Sequence, residues 1–260
     1  MTETFVILLA AHVIADFVLQ PRWIIDNKRR LPGFCLHVLI VGLTTMLALG
    51  AFGPGAGPAV MAALAATAAH AVIDAIKIRL SGTRRFRKAR HGQLLLFCSD
   101  QLAHVLTLAL IAAWLPTAWN AGYWSAGSSP LESGLLTGLC LVGGFTLTTR
   151  AGSFAIAFFM QGLQPATKHS DDSATPDTGD QGIPEGGAWI GLLERTLIFI
   201  LVLVDQFGAI GFLIAAKSIL RFQYAKERSH SEIVIIGTLA SFTWAILFAW
   251  LTAQAIQHFG

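Results

Sequence analysis

Apolar runs recur along this chain at 4–20, 34–52, 58–78, 93–115, 133–150, 189–204, 207–222 and 232–256, separated by proline, glycine and charge. A helix needs about 20 apolar residues to cross ~30 Å of hydrocarbon, and several of these runs are shorter. The pattern predicts an all-α fold, a polytopic transmembrane helical bundle of about 7–8 membrane spans. The sequence Gly-Pro-Gly-Ala-Gly-Pro at 53–58 breaks helix and predicts a hairpin between the second and third spans. The stretch 164–187, rich in Asp, Ser, Thr, Pro and Gly, predicts a flexible linker. Four parts result: a four-span bundle over 1–115, an outer loop plus fifth span over 116–163, a cytoplasmic linker over 164–187, and C-terminal membrane helices over 188–260.

Composition agrees with that reading. The 260 residues are 54% hydrophobic and 13% charged, against about 25% charged in soluble domains. The first run carries His12 and Asp16 and has no small-residue cleavage site, so it reads as a span rather than a signal peptide. A net charge of +3 gives no reason to expect nucleic acid as a partner. The basic residues gather in loops instead. Arg22, Lys28, Arg29 and Arg30 lie in the first loop, and the segment 77–90 holds Lys77, Arg79, Arg84, Arg85, Arg87, Lys88 and Arg90. Excess Lys and Arg marks the cytoplasmic side, which predicts a multi-pass protein of the bacterial inner membrane with an outward N-terminus. Eight spans then keep Lys217, Arg221, Lys226 and Arg228 cytoplasmic too. The charge-free stretch 116–131, with Trp119, Tyr123 and Trp124, suits an outer loop with interfacial aromatics. Cys35, Cys98 and Cys140 are scattered in apolar runs and read as small core residues, not a disulfide framework.

Polar residues inside the spans carry the functional signal. His12 and Asp16, His70 and Asp74, and Asp100 and His104 are each four residues apart, so each pair shares one helix face. The first and third spans run inward and the fourth outward. The order within the fourth pair is reversed, which restores the same arrangement: Asp nearer the cytoplasm, His deeper. His37, early in the second span, reaches that level as well. An Asp at a helix centre costs roughly 2.5–3.5 kcal/mol, so three left unpaired approach a protein's whole stability. A divalent ion (Zn, Mn or Mg) held by His12, Asp16, His37, His70, Asp74, Asp100 and His104 would neutralise them, and seven ligands are enough for two ions. Hydrogen-bonded pairs that merely tie helices together are the plain alternative; three pairs at matched depth weigh against it. Arg150, Arg195, Lys217 and Arg221 near the same side form a candidate clamp for an anionic head group, against their commoner role as interfacial anchors. Glu194 is a candidate partner for Arg195 or for a neighbouring helix.

The blocks His12-Val-Ile-Ala-Asp16-Phe17-Val-Leu19-Gln20, Asn27-Lys28, His37, His70-Ala-Val-Ile-Asp74 and Asp100-Gln101-Leu-Ala-His104 occur in order. Over roughly residues 5–115 they resemble a bacterial integral-membrane family designated domain of unknown function 3307. Ile190-Gly191-Leu-Leu-Glu194-Arg195, Ala216-Lys217-Ser218 with Arg221-Phe222, and Ile236-Gly237-Thr238 with Ser241 resemble its longer members; Glu232-Ile233 stands where Glu-Tyr is expected. The resemblance implies the fold and the choice of polar residues, and no activity.

Three functions fit. The first is a metal-dependent hydrolase of a phosphate- or ester-bearing membrane lipid, with Asp16, Asp74 and Asp100 as catalytic candidates. The second is a transporter or sensor for a divalent cation or proton-coupled solute. Transport requires polar groups through both leaflets, and the outer halves of the first four spans carry almost none. The third is a scaffold whose basic loop 77–90 binds anionic lipid or a protein. The sequence leaves the oligomeric state open.

Overall fold

The computed structural model describes residues 1–125, 130–163, 186–222 and 228–259. The linker expected at 164–187 lies almost wholly outside them, as do His169 and Lys226 and the side chains of Arg221, Arg228 and His230. The described chain is helical: α1 (Thr2–Phe17), α2 (Arg22–Asn27), α3 (Leu31–Leu49), α4 (Gly57–Ser81), α5 (Arg84–Lys88), α6 (Gly92–Trp114), α7 (Pro130–Thr146), α8 (Gly152–Leu163), α9 (Gly186–Leu203), α10 (Phe207–Phe222) and α11 (Arg228–Phe259). Among the described residues six helical stretches are long and apolar enough to cross a membrane: α3, α4, α6, Glu132–Leu163, α9 and Glu232–Phe259. α1 and α10, at 16 residues each, are shorter than that limit. Each of the eight apolar runs corresponds to one helical stretch, and the architecture is an all-α polytopic bundle.

The outer faces show what surrounds it. Leu39, Leu43 and Leu47 on α3, and Leu102, Leu106 and Leu110 on α6, are all more than half exposed. Leucine stripes at four-residue spacing that face outward are what lipid accommodates and water does not. The inward faces are narrow. On α3 the buried residues are Gly33, His37, Val41, Thr45 and Leu49; on α4 they include Ala59, Ala62, Ala63, Ala66, His70 and Asp74. Small residues let helices approach closely, the usual source of packing energy in lipid. α1 packs against α3, α6 and α7 at the bundle's centre. Ile7, Leu8, Leu49, Ala62, Leu108 and Trp119 fill the end of this bundle near the N-terminus. A second core, with Ile198, Phe199, Ile210, Phe242 and Ala245, joins α9, α10 and α11.

The expected hairpin of α3 and α4 is present. Gly50 ends α3 in the left-handed region (φ 62°), and its carbonyl accepts from the Tyr123 N–H at 2.8 Å. Three expectations change. The fifth span does not close at Arg150: α7 continues through a π-helical turn, Leu147–Ala151, into α8, giving 32 residues from Glu132 to Leu163. Trp119 is no interfacial anchor. It is fully buried, its backbone N–H donating to Thr4 Oγ1 at 3.2 Å and its indole N–H to Glu132 at 3.3 Å. Of the cysteines only Cys140 is buried, while Cys35 and Cys98 are exposed; all three are free.

Candidate metal centre

The inward stripe of each helix in the first half ends in polar residues at the same end of the bundle. His12 and Asp16 close α1, His70 and Asp74 lie toward the end of α4, and His37 and Asp100–His104 lie toward the starts of α3 and α6. That is the end carrying the basic connections 18–30 and 82–91. Antiparallel helices with buried residues every fourth position therefore deliver all seven side chains to one place. His37, His70, Asp74 and His104 are at most 3% exposed.

The tightest part lies between three helix ends, those of α1, α3 and α4. His37 Nε2 faces His70 Nε2 at 3.0 Å. Asp16 Oδ1 is 3.3 Å from His37 Nε2 and 3.5 Å from His70 Nε2, and Asp74 Oδ2 is 3.4 Å and 3.3 Å from the same two nitrogens. Ligand atoms around a tetrahedral zinc with 2.0–2.1 Å bonds are about 3.3–3.4 Å apart. The four imidazole–carboxylate separations are close to that spacing, and the His37–His70 distance is shorter. With one nitrogen donating and the other accepting the pair is a hydrogen bond, and with both unprotonated the two lone pairs face a shared position that a cation could take. Among the described residues three groups have ligand atoms within 4.8 Å of one another: Asp16–His37–His70, His12–His70–His104 and Asp74–Asp100–His104. They share His70 and His104, so the seven form one continuous cluster. The His70 and His104 rings stack at 4.4 Å, and His12 lies 4.5 Å from His104. Asp74 Oδ1, Asp100 Oδ1, His37 Nδ1 and His104 Nε2 are buried without a hydrogen-bond partner. A buried polar atom left unpaired costs about 1–3 kcal/mol, so this donor set fits an ion.

Two lysines, neither of them read from the sequence as part of the site, alter the charge. Lys28 Nζ is 2.7 Å from Asp74 Oδ2, and Lys77 Nζ donates to Asp100 Oδ2 at 2.6 Å. Lys77 is thus not simply part of a basic loop: it stands three residues after Asp74 on α4 and reaches across to α6. Asp74 and Asp100 are not the uncompensated carboxylates that the apolar setting implied. With both ammoniums in place, three carboxylates keep one net negative charge, which removes the electrostatic case for two divalent ions. Two amides complete the surround. Gln101 Nε2 donates to Asp100 Oδ2 at 3.1 Å while its Oε1 lies 3.4 Å from His12 Nε2. Gln20, with its amide turned to suit both neighbours, accepts from Lys28 at 2.9 Å and donates to the Asp16 carbonyl at 3.2 Å. The sequence signal for both was in plain view, since Gln20, Lys28 and Gln101 belong to the blocks quoted above.

The candidate clamp residues separate. Arg150 is exposed on the π-helical turn. Lys217 of α10 pairs with Glu194. Arg195 is 4% exposed and donates to Ser241 Oγ at 3.0 Å and Ser153 Oγ at 2.5 Å, with its Nε unpartnered. Among the described residues two hydroxyls, which carry no charge, accept the hydrogen bonds of this guanidinium.

A family model described as "Protein of unknown function (DUF3307)" matches residues 4–126. No curated protein and no solved structure matches the chain.

Proposed function

Residues 4–126 make the chain a member of the DUF3307 family, and from that premise we propose a metal-dependent hydrolase of a phosphate- or ester-bearing membrane lipid. The observation that carries the proposal is the set of five separations of 3.0–3.5 Å among His37, His70, Asp16 and Asp74. Asp16, His37 and His70, one of the three groups that converge within 4.8 Å, hold the ion, with Asp74 against both imidazoles. Two imidazoles with two carboxylates favour zinc or manganese over magnesium, which prefers oxygen ligands. Charge balance supports one ion with Lys28 and Lys77 retained. A bound divalent ion supplies Lewis acidity and an activated water. Asp100, tied to Lys77 and Gln101, is placed to orient that water or take its proton, with His12 and His104 beside it. Arg195, a buried cation whose hydrogen bonds among the described residues go to Ser241 and Ser153, is the remaining candidate for an anionic head group. The basic connections support a cytoplasmic-face position for this end of the bundle, in a bacterial inner membrane.

The packing beyond the cluster argues against transport. Ile7, Leu8, Ala62, Ala63, Leu108 and Ile111 close the bundle from the cluster toward the N-terminal end, where a conduit would need polar lining. A scaffold acting through basic loops would have no use for a buried His–Asp cluster.

The test uses purified protein in phosphatidylethanolamine–phosphatidylglycerol vesicles doped separately with phosphatidic acid and with lysophospholipid, reading released phosphate and free fatty acid. Release that needs zinc or manganese, stops with chelator and falls at least ~10²-fold in Asp74→Asn is expected, at the upper end of losses on disturbing metal sites. Absence of release from either lipid by metal-loaded protein, or release unchanged in Asp74→Asn, contradicts the proposal.

A further inference from the structure

Beside the cluster lies a cavity of about 440 Å³, bounded by α1, α6, α7, the π-helical turn and α11. Its size is that of a small-molecule site, yet among the described residues no Asp, Glu, Lys or Arg lines it. Nearly every wall residue is apolar, and the polar exceptions that matter are His12 and Gln101, which are also part of the cluster. The walls fix its direction. Gly143 of α7 packs on Ala10 of α1, where an added Cβ would come within 3.0 Å. Trp244 of α11 donates to the Leu147 carbonyl at 3.1 Å. Phe97 of α6 meets the Phe17 ring at 6.3 Å. One end, at Phe97, Ala151 and Trp244, is therefore level with Asp16. The other, at Val6, Leu139 and Ala255, lies toward the N-terminal end of α1.

The lining runs from Leu139 to Ala151 and from Trp244 to Ala255, about 16–18 Å at 1.5 Å per residue. That is close to half of a ~30 Å hydrocarbon core, the depth of one leaflet. Spread over this length, the volume gives a cross-section of roughly 25 Å², room for one chain abreast. The side is open to lipid: Leu102 and Leu251, both lining residues, are 58% and 45% exposed.

We infer that this cavity takes a single hydrocarbon chain of a lipid, entering laterally between α6 and α11, and so holds that lipid's ester or phosphoester against His12 and Gln101. The inference rests on the lipid-hydrolase reading and narrows its substrate to a lipid with one inserted chain from the leaflet on the cluster's side. Chains in bulk lipid are as apolar as this lining, so the cavity selects by shape and position and not by hydrophobic gain.

The test is photolabelling of the full chain in phosphatidylethanolamine–phosphatidylglycerol vesicles containing a trace of phosphatidylglycerol with a diazirine midway along one acyl chain. Peptide mapping is expected to find adducts on the cavity residues Leu139, Cys140 and Val105, besides those on lipid-facing Leu106 and Leu110. Ala255→Trp and Val105→Trp, filling the cavity from two walls, should each lose the Leu139 and Cys140 adducts and keep those on Leu110 and the bound zinc or manganese. Adducts confined to Leu106 and Leu110, or Leu139 adducts undiminished by both fillings, overturn the inference. The two readings fail separately. Wild-type protein that labels Leu139 but binds no zinc or manganese keeps the cavity and discards the metal centre, whereas loss of metal alone in Asp16→Asn, with Leu139 labelled, supports both.

Discussion

At the scale of single residues, Asp74 and Asp100 have almost no access to solvent, and each has an ammonium against it: Lys28 at 2.7 Å and Lys77 at 2.6 Å. Removing one partner of a buried pair costs about 3–5 kcal/mol because the other charge stays buried. Lys28 is 15% exposed, so part of that is recovered by water. Lys28→Met is expected to cost about 2–3 kcal/mol in chelator, a fall in Tm of roughly 5–10 °C for a chain of this size. Zinc or manganese should restore most of the loss, since the ion takes over the charge on Asp74. Thermal unfolding in detergent, with and without metal, checks this; a deficit that metal leaves untouched contradicts it. The seven His and Asp residues were legible in the sequence because imidazole and carboxylate stand out in apolar helices. Lys77 was not, because a lysine at a helix end beside five arginines and a lysine has the appearance of a topological anchor. Only the register of α4 against α6 gives it a partner. For Glu194 the sequence left two partners open, Arg195 or a neighbouring helix, and the fold supplies the second as Lys217 of α10.

At the scale of elements, the long helices follow from their patterns, since buried positions recur every third or fourth residue and proline or glycine marks their ends. α2 and α5, of six and five residues, are too short to show any period. The π-helical turn was hidden for another reason. Leu147, Thr148, Thr149 and Arg150 form no helix-breaking sequence, and the turn is stabilised from outside. The Leu147 carbonyl accepts from the Trp244 indole N–H, while Gly152 makes room for that ring. A Cβ on residue 152 would lie 2.7 Å from Trp244 Nε1 and 3.2 Å from Arg195 Cδ. Gly152→Val should therefore displace Trp244 and cost about 1–3 kcal/mol by overpacking. Thermal unfolding, together with the tryptophan emission of the variant set against Trp244→Phe, measures it. An unchanged Tm and emission contradict this account of the turn. Trp119 misled for a related reason. A charge-free loop rich in aromatics reads as interfacial, but this one folds back and plugs the bundle end through Thr4 and Glu132.

At the scale of the whole molecule, apolar packing and polar chemistry occupy opposite ends of the N-terminal bundle. Ile7, Leu8, Leu49, Leu108 and Trp119 close one end, and the His–Asp cluster sits at the other among the basic connections. The α9–α11 core carries its own ion pair and a buried arginine, and α11 forms one wall of the cavity that reaches His12. This assembly was only partly visible beforehand. The depth of each polar pair follows from helix direction, but the cavity arises from how α11 and the π-helical turn meet α1 and α6, a relation between distant parts of the chain. The most direct measurement of the central claim is X-ray absorption on purified full-length protein equilibrated with zinc. One ion per chain with a first shell of nitrogen and oxygen at about 2.0–2.2 Å is expected, abolished when Asp16 and Asp74 are both changed to Asn. Protein that takes up no zinc, or a first shell that persists in the Asp16→Asn/Asp74→Asn variant, contradicts the account.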